Sequence, residues 1–196
     1  MIPNSLTKKL SKINWFGIAG GILTLIVILV SLYYPWWQLI VGEEAVKINV
    51  SPMNTNFGLL GIHFTIPLIY ALNIGSILTF LCSGIIMLIY SINPTKHYAK
   101  TLLDFAWKKP LYSVITSTIC LSLIILISRI TFNMNIPLIG TAIIVLPTQF
   151  TGGVDISVIA TSAFQWPLYL AITTAILCIL AKIYHKKTAR QQTTKT

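Results

Sequence analysis

The chain has 196 residues, of which 55% are hydrophobic and only 9% charged, with 14 Lys and Arg against four Asp and Glu and a net charge of +10. A soluble domain carries about 25% charged residues, so an ordinary soluble globular domain is excluded and a multi-pass membrane protein is expected. Nucleic-acid binding is not implied by the basic excess, because it needs a folded soluble basic surface with stacking aromatics.

Lys8, Lys9 and Lys12 precede the first apolar run, residues 15–34. Its length of about 20 residues is enough, at 1.5 Å per residue, to cross a hydrocarbon core of roughly 30 Å. It is longer than the h-region of a cleaved signal peptide and lacks a small-residue cleavage site, so a retained signal anchor is expected. Gly17 and Gly21 lie four residues apart within it. The run ends in Tyr33, Tyr34, Pro35, Trp36 and Trp37, which read as an aromatic belt at the outer interface. Two adjacent Trp side chains point in different directions. Trp36 and Trp37 are therefore interaction candidates, one of them facing an outer sheet or a neighbouring subunit, and Arg129 and Trp166 are candidates as well.

Residues 35–66 form the first outer loop. Residues 46–50 alternate as a strand, residues 51–56 are rich in turn formers, and residues 57–65 resume apolar, so a strand pair is expected. The second span is residues 67–90, where Ala71, Gly75, Thr79 and Ser83 recur every four residues. Asn93-Pro94 reads as an N-cap followed by Pro at the first helical position. It opens an amphipathic segment over residues 94–108, with Tyr98, Leu102, Phe105 and Ala106 on one stripe. This segment is expected to lie in the inner interface, with Trp107 at headgroup depth.

The third span is residues 111–132, with Ser113, Thr116, Ser117 and Cys120 at helical spacing and Arg129 near its outer end. The second outer loop, residues 133–166, again reads as a strand pair: an apolar β-branched stretch at 139–146, a Thr-Gly-Gly turn, and alternation over 154–161. The fourth span, residues 167–184, carries Ala171, Thr174, Ala175 and Cys178, with Trp166 and Tyr169 as its outer belt. Residues 186–196 are polar and are expected to be disordered.

Twelve of the 14 Lys and Arg fall in the two terminal segments and the middle loop, and only Lys47 and Arg129 fall on the other side. The positive-inside rule then places both termini in the cytoplasm, and the composition fits a prokaryotic plasma membrane. Weak attraction to anionic lipid is a second consequence. Two stretches, residues 64–71 (FTIPLIYA) and 164–171 (FQWPLYLA), share the pattern F-x-x-P-L-x-x-A at the same loop-to-span junction. They predict two helix–hairpin–helix pseudo-repeats related by an axis along the membrane normal.

The expected fold is thus a membrane all-α four-helix transmembrane bundle with a small extracytoplasmic antiparallel β-sheet of about four strands, forming one integral membrane domain over residues 1–196. Small stripes at Gly17, Gly21, Gly75, Thr79, Ser83, Ser117 and Ala175 are expected to pack helices, because lipid removes the hydrophobic drive between them. The layout of four spans with a β-structured outer region after Pro35-Trp36-Trp37 resembles the claudin-type tetraspan topology, from which it departs in lacking paired outer cysteines. That resemblance implies layout alone.

Chemistry is sparse. Cys82, Cys120 and Cys178 all fall inside predicted spans and read as packing residues. No Asp, Glu, Lys or His lies deep within a span, which lowers the prior for ion-coupled transport. Glu43, His63 and Asp155 are outer residues whose convergence would make a metal site, with Glu44 beside them; spacing alone gives no reason to expect it. No catalytic motif, cofactor site or haem-ligand pair is expected, and so no enzyme. Two readings follow. One is a non-catalytic accessory, assembly or structural subunit of a larger membrane complex, such as a respiratory or envelope assembly, with lipids and protein subunits or further copies of itself as partners. The alternative is a small channel or carrier for a small or apolar solute.

Overall fold

In the computed structural model the described residues are 13–132, 134–145 and 157–193. Four helices are long and apolar enough to cross a membrane. Helix α1 is Trp15–Tyr33; strands β1 to β4 are Trp37–Val41, Val46–Val50, Asn56–Leu59 and Ile62–Phe64; helix α2 is Pro67–Ile92. Then come the short helix α3 at Ala99–Ala106, helix α4 at Lys108–Phe132, strands β5 at Gly140–Val145 and β6 at Ser157–Phe164, and helix α5 at Trp166–Thr193. The chain divides into two compact units.

The first unit comprises residues 1–29, 77–114 and 169–196. Its core joins Met87 and Tyr90 of α2, Ala99, Leu103 and Ala106 of α3, and Cys178 and Ala181 of α5. Small residues let backbones meet here. A Cβ at Gly21 would lie 2.8 Å from Leu88 Cγ and 3.1 Å from the Gly84 carbonyl oxygen. At Gly20 it would lie 3.1 Å from Cys178 Sγ.

Helix α3 departs from the sequence expectation in two ways. Residues 93–98 form turns, and the helix starts at Ala99 with Tyr98 in the N-cap position and no side-chain cap. The stripe that is buried is Ala99, Leu103 and Ala106, while Tyr98 and Phe105 of the predicted stripe stay 39% and 43% exposed. The reason is geometric. Ser83 Oγ donates to the Ala106 carbonyl at 2.8 Å, nine residues before the end of α2. So α3 folds back alongside the last turns of α2, and its smallest side chains permit that approach.

The second unit comprises residues 30–76 and 115–168 and holds one six-stranded antiparallel sheet of order β4-β3-β2-β1-β6-β5. Both loops share it, through β1 pairing with β6. The strand count exceeds the expected four because the first loop makes four strands. Strand β1 hid in the sequence because its five residues run straight on from the aromatic belt. The expected strand at 57–65 is cut in two by a tight turn with Leu60 and Gly61 both at positive φ (49° and 82°). One sheet face carries Trp37, Leu39, Val41, Ile144 and Ala160, which close over Leu121 of α4 with Ile125 and Ile136 packed against them. Alternation in β1 follows from this, since residues 37, 39 and 41 are buried and 38 and 40 are not.

Both copies of the shared pattern fall at a strand-to-helix junction. Phe64 ends β4 and Pro67 opens α2; Phe164 ends β6 and Pro167 is the second residue of α5. Pro is tolerated there because the first-turn N–H has no helical partner. The two loops are otherwise unequal, with four described strands against two, and β4 is a sheet edge whereas β6 lies between β1 and β5. Helix α5 runs on to Thr193 where disorder was expected, a stretch of helix-compatible residues with no Gly or Pro to stop it.

Candidate functional site

Glu43, Glu44 and His63 belong to no metal centre among the described residues, where no group of three potential ligands converges. Glu43 and Glu44 occupy the β1–β2 turn, both at positive φ (49° and 71°). Glu44 pairs with Lys47 at 3.2 Å, an exposed contact worth little. His63 sits on β4 opposite Gly58, close enough that a Cβ there would come 3.1 Å from its ring. Asp155 lies outside the described residues.

The aromatic residues sort into two groups. Tyr33, Tyr34, Trp166 and Tyr169 are exposed, with Tyr34 and Trp166 rings 5.7 Å apart. Trp36 and Trp37 are 2% and 4% exposed, so neither is free to anchor a neighbour. The Trp36 indole donates to Ser31 Oγ and the Trp37 indole to the Leu138 carbonyl, both at 2.8 Å. The Trp36 backbone also donates to Val50 and accepts from Gln165, so it extends the ladder on both sides of β1. Both tryptophans therefore build the sheet from within. Arg129 is exposed in the last turn of α4, where a cation complements the helix dipole.

Of the small residues expected to pack helices, Gly17, Gly21, Ser83 and Ala175 are buried. A Cβ at Gly17 would collide with Ser91 Oγ. Gly75 and Thr79 are exposed, and a Cβ at Gly75 meets nothing within 4 Å. Ser117 is half-buried beside a small crevice lined by Trp36, Trp37, Ser117, Leu121, Phe164 and Leu168. Its volume of about 10 Å³ admits at most one water.

Two polar arrangements were not legible from spacing. Asn14 caps α1, its Oδ1 accepting from the Gly17 N–H at 3.1 Å. Its amide also donates to Tyr90 Oη at 2.8 Å and to the Ala181 carbonyl at 2.9 Å. One buried side chain so ties α1, α2 and α5, and each polar atom of its amide is used. An Asn directly before an apolar run was the available signal. The second arrangement centres on Trp107, between α3 and α4. The Lys182 ammonium sits 3.6 Å from its ring centre and that of Lys109 sits 4.8 Å from the Phe105 ring. The Trp107 indole N–H is closed off from solvent and has no acceptor.

Chemically, several helix hydroxyls are spent on their own backbones. Thr24 donates to Gly20, Ser91 to Met87 and Thr174 to Leu170, at 2.6–2.8 Å. Such back-bonding satisfies a hydroxyl in an apolar setting and leaves it unavailable to a solute. No protein family, no curated protein and no solved structure matches the chain.

Proposed function

We propose that the chain is a non-catalytic integral membrane protein, an accessory or structural subunit of a larger assembly in the plasma membrane, with both termini in the cytoplasm. The observation that carries this reading is the exposure of α4. Its most apolar window is 6% buried within the chain, against 39% for the first and last candidate spans. A span that makes so few contacts of its own leaves a long face for lipid or for another helix. Ile119, Leu123, Ile127 and Ile130 on it are each about half exposed or more. The sheet adds Ile143 and Ile159, cross-strand neighbours that are 72% and 60% exposed. Orientation is supported by the concentration of Lys and Arg in three segments that an even number of spans puts on one side. The repeat reading is supported by the shared junction pattern, and superposing residues 12–90 on 108–184 with Pro67 far from Pro167 would overturn it.

The experiment for the subunit reading is extraction in mild detergent with a photoreactive residue at position 123, read by native mass spectrometry. A defined adduct to one partner chain, present before extraction, supports it. A lone monomer with only lipid adducts refutes it.

One observation favours the second reading, a channel or carrier formed by several copies. Thr116 of α4 is an exposed hydroxyl residue between the exposed aliphatic side chains of Ile115 and Ile119. Solute flux in proteoliposomes that vanishes in Thr116→Val supports it, and absent flux for ions and small neutral solutes counts against it.

A further inference from the structure

We propose that the corner made by Trp107 and Lys182, with Lys109 next along the chain over the Phe105 ring, is a binding site for the phosphate of an anionic phospholipid in the inner leaflet. Three observations lead to it. The Trp107 indole N–H is a buried donor without an acceptor, a state that costs free energy unless a partner arrives. The Lys182 and Lys109 ammonium groups each rest on an aromatic ring, and neither has a carboxylate within ion-pair distance among the described residues. A donor and a cation therefore meet here, and Asp104, the one acid of this stretch, makes no ion pair with either lysine.

The surroundings fit a lipid better than a small free anion. Lys96, Lys100 and Lys108 lie on the same stretch, and Asp104 is the one acid within it. Helix α3 turns Ala99, Leu103 and Ala106 into the protein and leaves Tyr98 and Phe105 exposed beside the basic corner. A headgroup phosphate at the lysines would thus have its acyl chain run along an apolar, aromatic surface. Trp and Lys at one level mark the headgroup depth of a membrane protein. The length of α2 agrees. Its 26 residues span about 39 Å, some 9 Å more than a hydrocarbon core of roughly 30 Å. That excess lets the α2–α3 hairpin reach the inner headgroups.

The ligand meets the ammonium groups first. Lys182 lies on the ring by a cation–π contact, weaker than an ion pair with a phosphate oxygen. A phosphate oxygen draws Lys182 off the ring face, and the indole N–H then donates to the same phosphate. No bond is made or broken beyond hydrogen bonds and ion pairs.

The test uses the full chain in mild detergent, titrated with phosphatidylglycerol, diacylglycerol of the same acyl chains or inorganic phosphate and read by native mass spectrometry. Phosphatidylglycerol should be retained about tenfold more strongly than diacylglycerol, which lacks the phosphate, the factor expected of one charge-assisted hydrogen bond. Lys182→Gln and Trp107→Phe should each remove most of that preference, whereas Lys182→Arg and Lys47→Gln should keep it. Trp107→Phe keeps an aromatic face for Lys182 and deletes the donor, so it stays informative if the lysine variant folds poorly. Equal retention of the two lipids by the wild-type chain overturns the site. So does a preference unchanged in both Lys182→Gln and Trp107→Phe. Inorganic phosphate competing away the lipid at equal concentration overturns the lipid assignment in favour of a free anion. The proposal rests on the membrane reading; a chain that fails to enter any bilayer sinks that reading, while a lipid-blind but inserted chain sinks only this one.

Discussion

Substituting Gly21 and Gly75 by alanine separates a true helix seam from a coincidental stripe of small residues. Both are helical glycines, so each gains roughly 0.5–1 kcal/mol of backbone propensity when replaced by Ala. At Gly75 nothing lies within 4 Å of the new methyl group, and the gain should appear undiminished. At Gly21 the methyl would stand 2.8 Å from Leu88 Cγ and Cδ2 and 3.1 Å from the Gly84 carbonyl. The first clash can relax by a side-chain shift, but the second is against backbone and forces α1 and α2 apart. Overpacking of this kind costs about 1–3 kcal/mol. The two variants should therefore differ by about 1–3 kcal/mol, with Gly75→Ala on the stable side. SDS-titrated unfolding followed by tryptophan fluorescence measures this. Trimming Leu88 to Ala should recover part of the Gly21→Ala loss, a coupling of at least about 0.5 kcal/mol between neighbours. If Gly75→Ala destabilises as much as Gly21→Ala, the assignment of the seam to Gly21 and Gly84 is wrong.

Asn14→Ala removes an N-cap and two interhelical hydrogen bonds, for an expected loss of about 2 kcal/mol; Tyr90→Phe removes one of the three and should cost less than half of that in the same titration. Trp37→Ala empties a buried position in the sheet core and should cost about 3–5 kcal/mol, whereas Trp166→Ala, at a residue 51% exposed, should stay within about 1 kcal/mol in detergent. Leu60 holds φ 49° with its side chain 77% exposed. Replacing it by Gly should stabilise the β3–β4 turn by about 1 kcal/mol, and a loss there would show that the side chain is held by something outside the chain. For orientation, a cysteine at position 44 should label with an impermeant maleimide from outside intact cells and one at position 96 only after permeabilisation; the reverse pattern would invert the topology.

The four long helices were plain in the sequence because an apolar run of span length has few alternatives. The β2 strand at Val46–Val50 was legible residue for residue, as its alternation is bounded by turn formers on both sides. Strand β1 was not, since Trp37 to Val41 carries no period that separates it from the belt before it. The face of α3 was misplaced for a related reason. Periodicity puts Tyr98, Leu102, Phe105 and Ala106 on one stripe, and of these only Ala106 is buried. Close packing against another helix selects the stripe of Ala99, Leu103 and Ala106, two of whose three side chains are methyl groups.

Composition, run length and charge placement by themselves determined that four helices of this chain are apolar enough to span a membrane, because the transfer cost of charge and backbone leaves few other uses for such segments. Tertiary structure alone decided which small residues touch a neighbour, where Asn14 and Trp107 find or lack partners, and that six strands close into one sheet. Those outcomes depend on which side chains meet across long stretches of sequence, and local pattern carries no record of that.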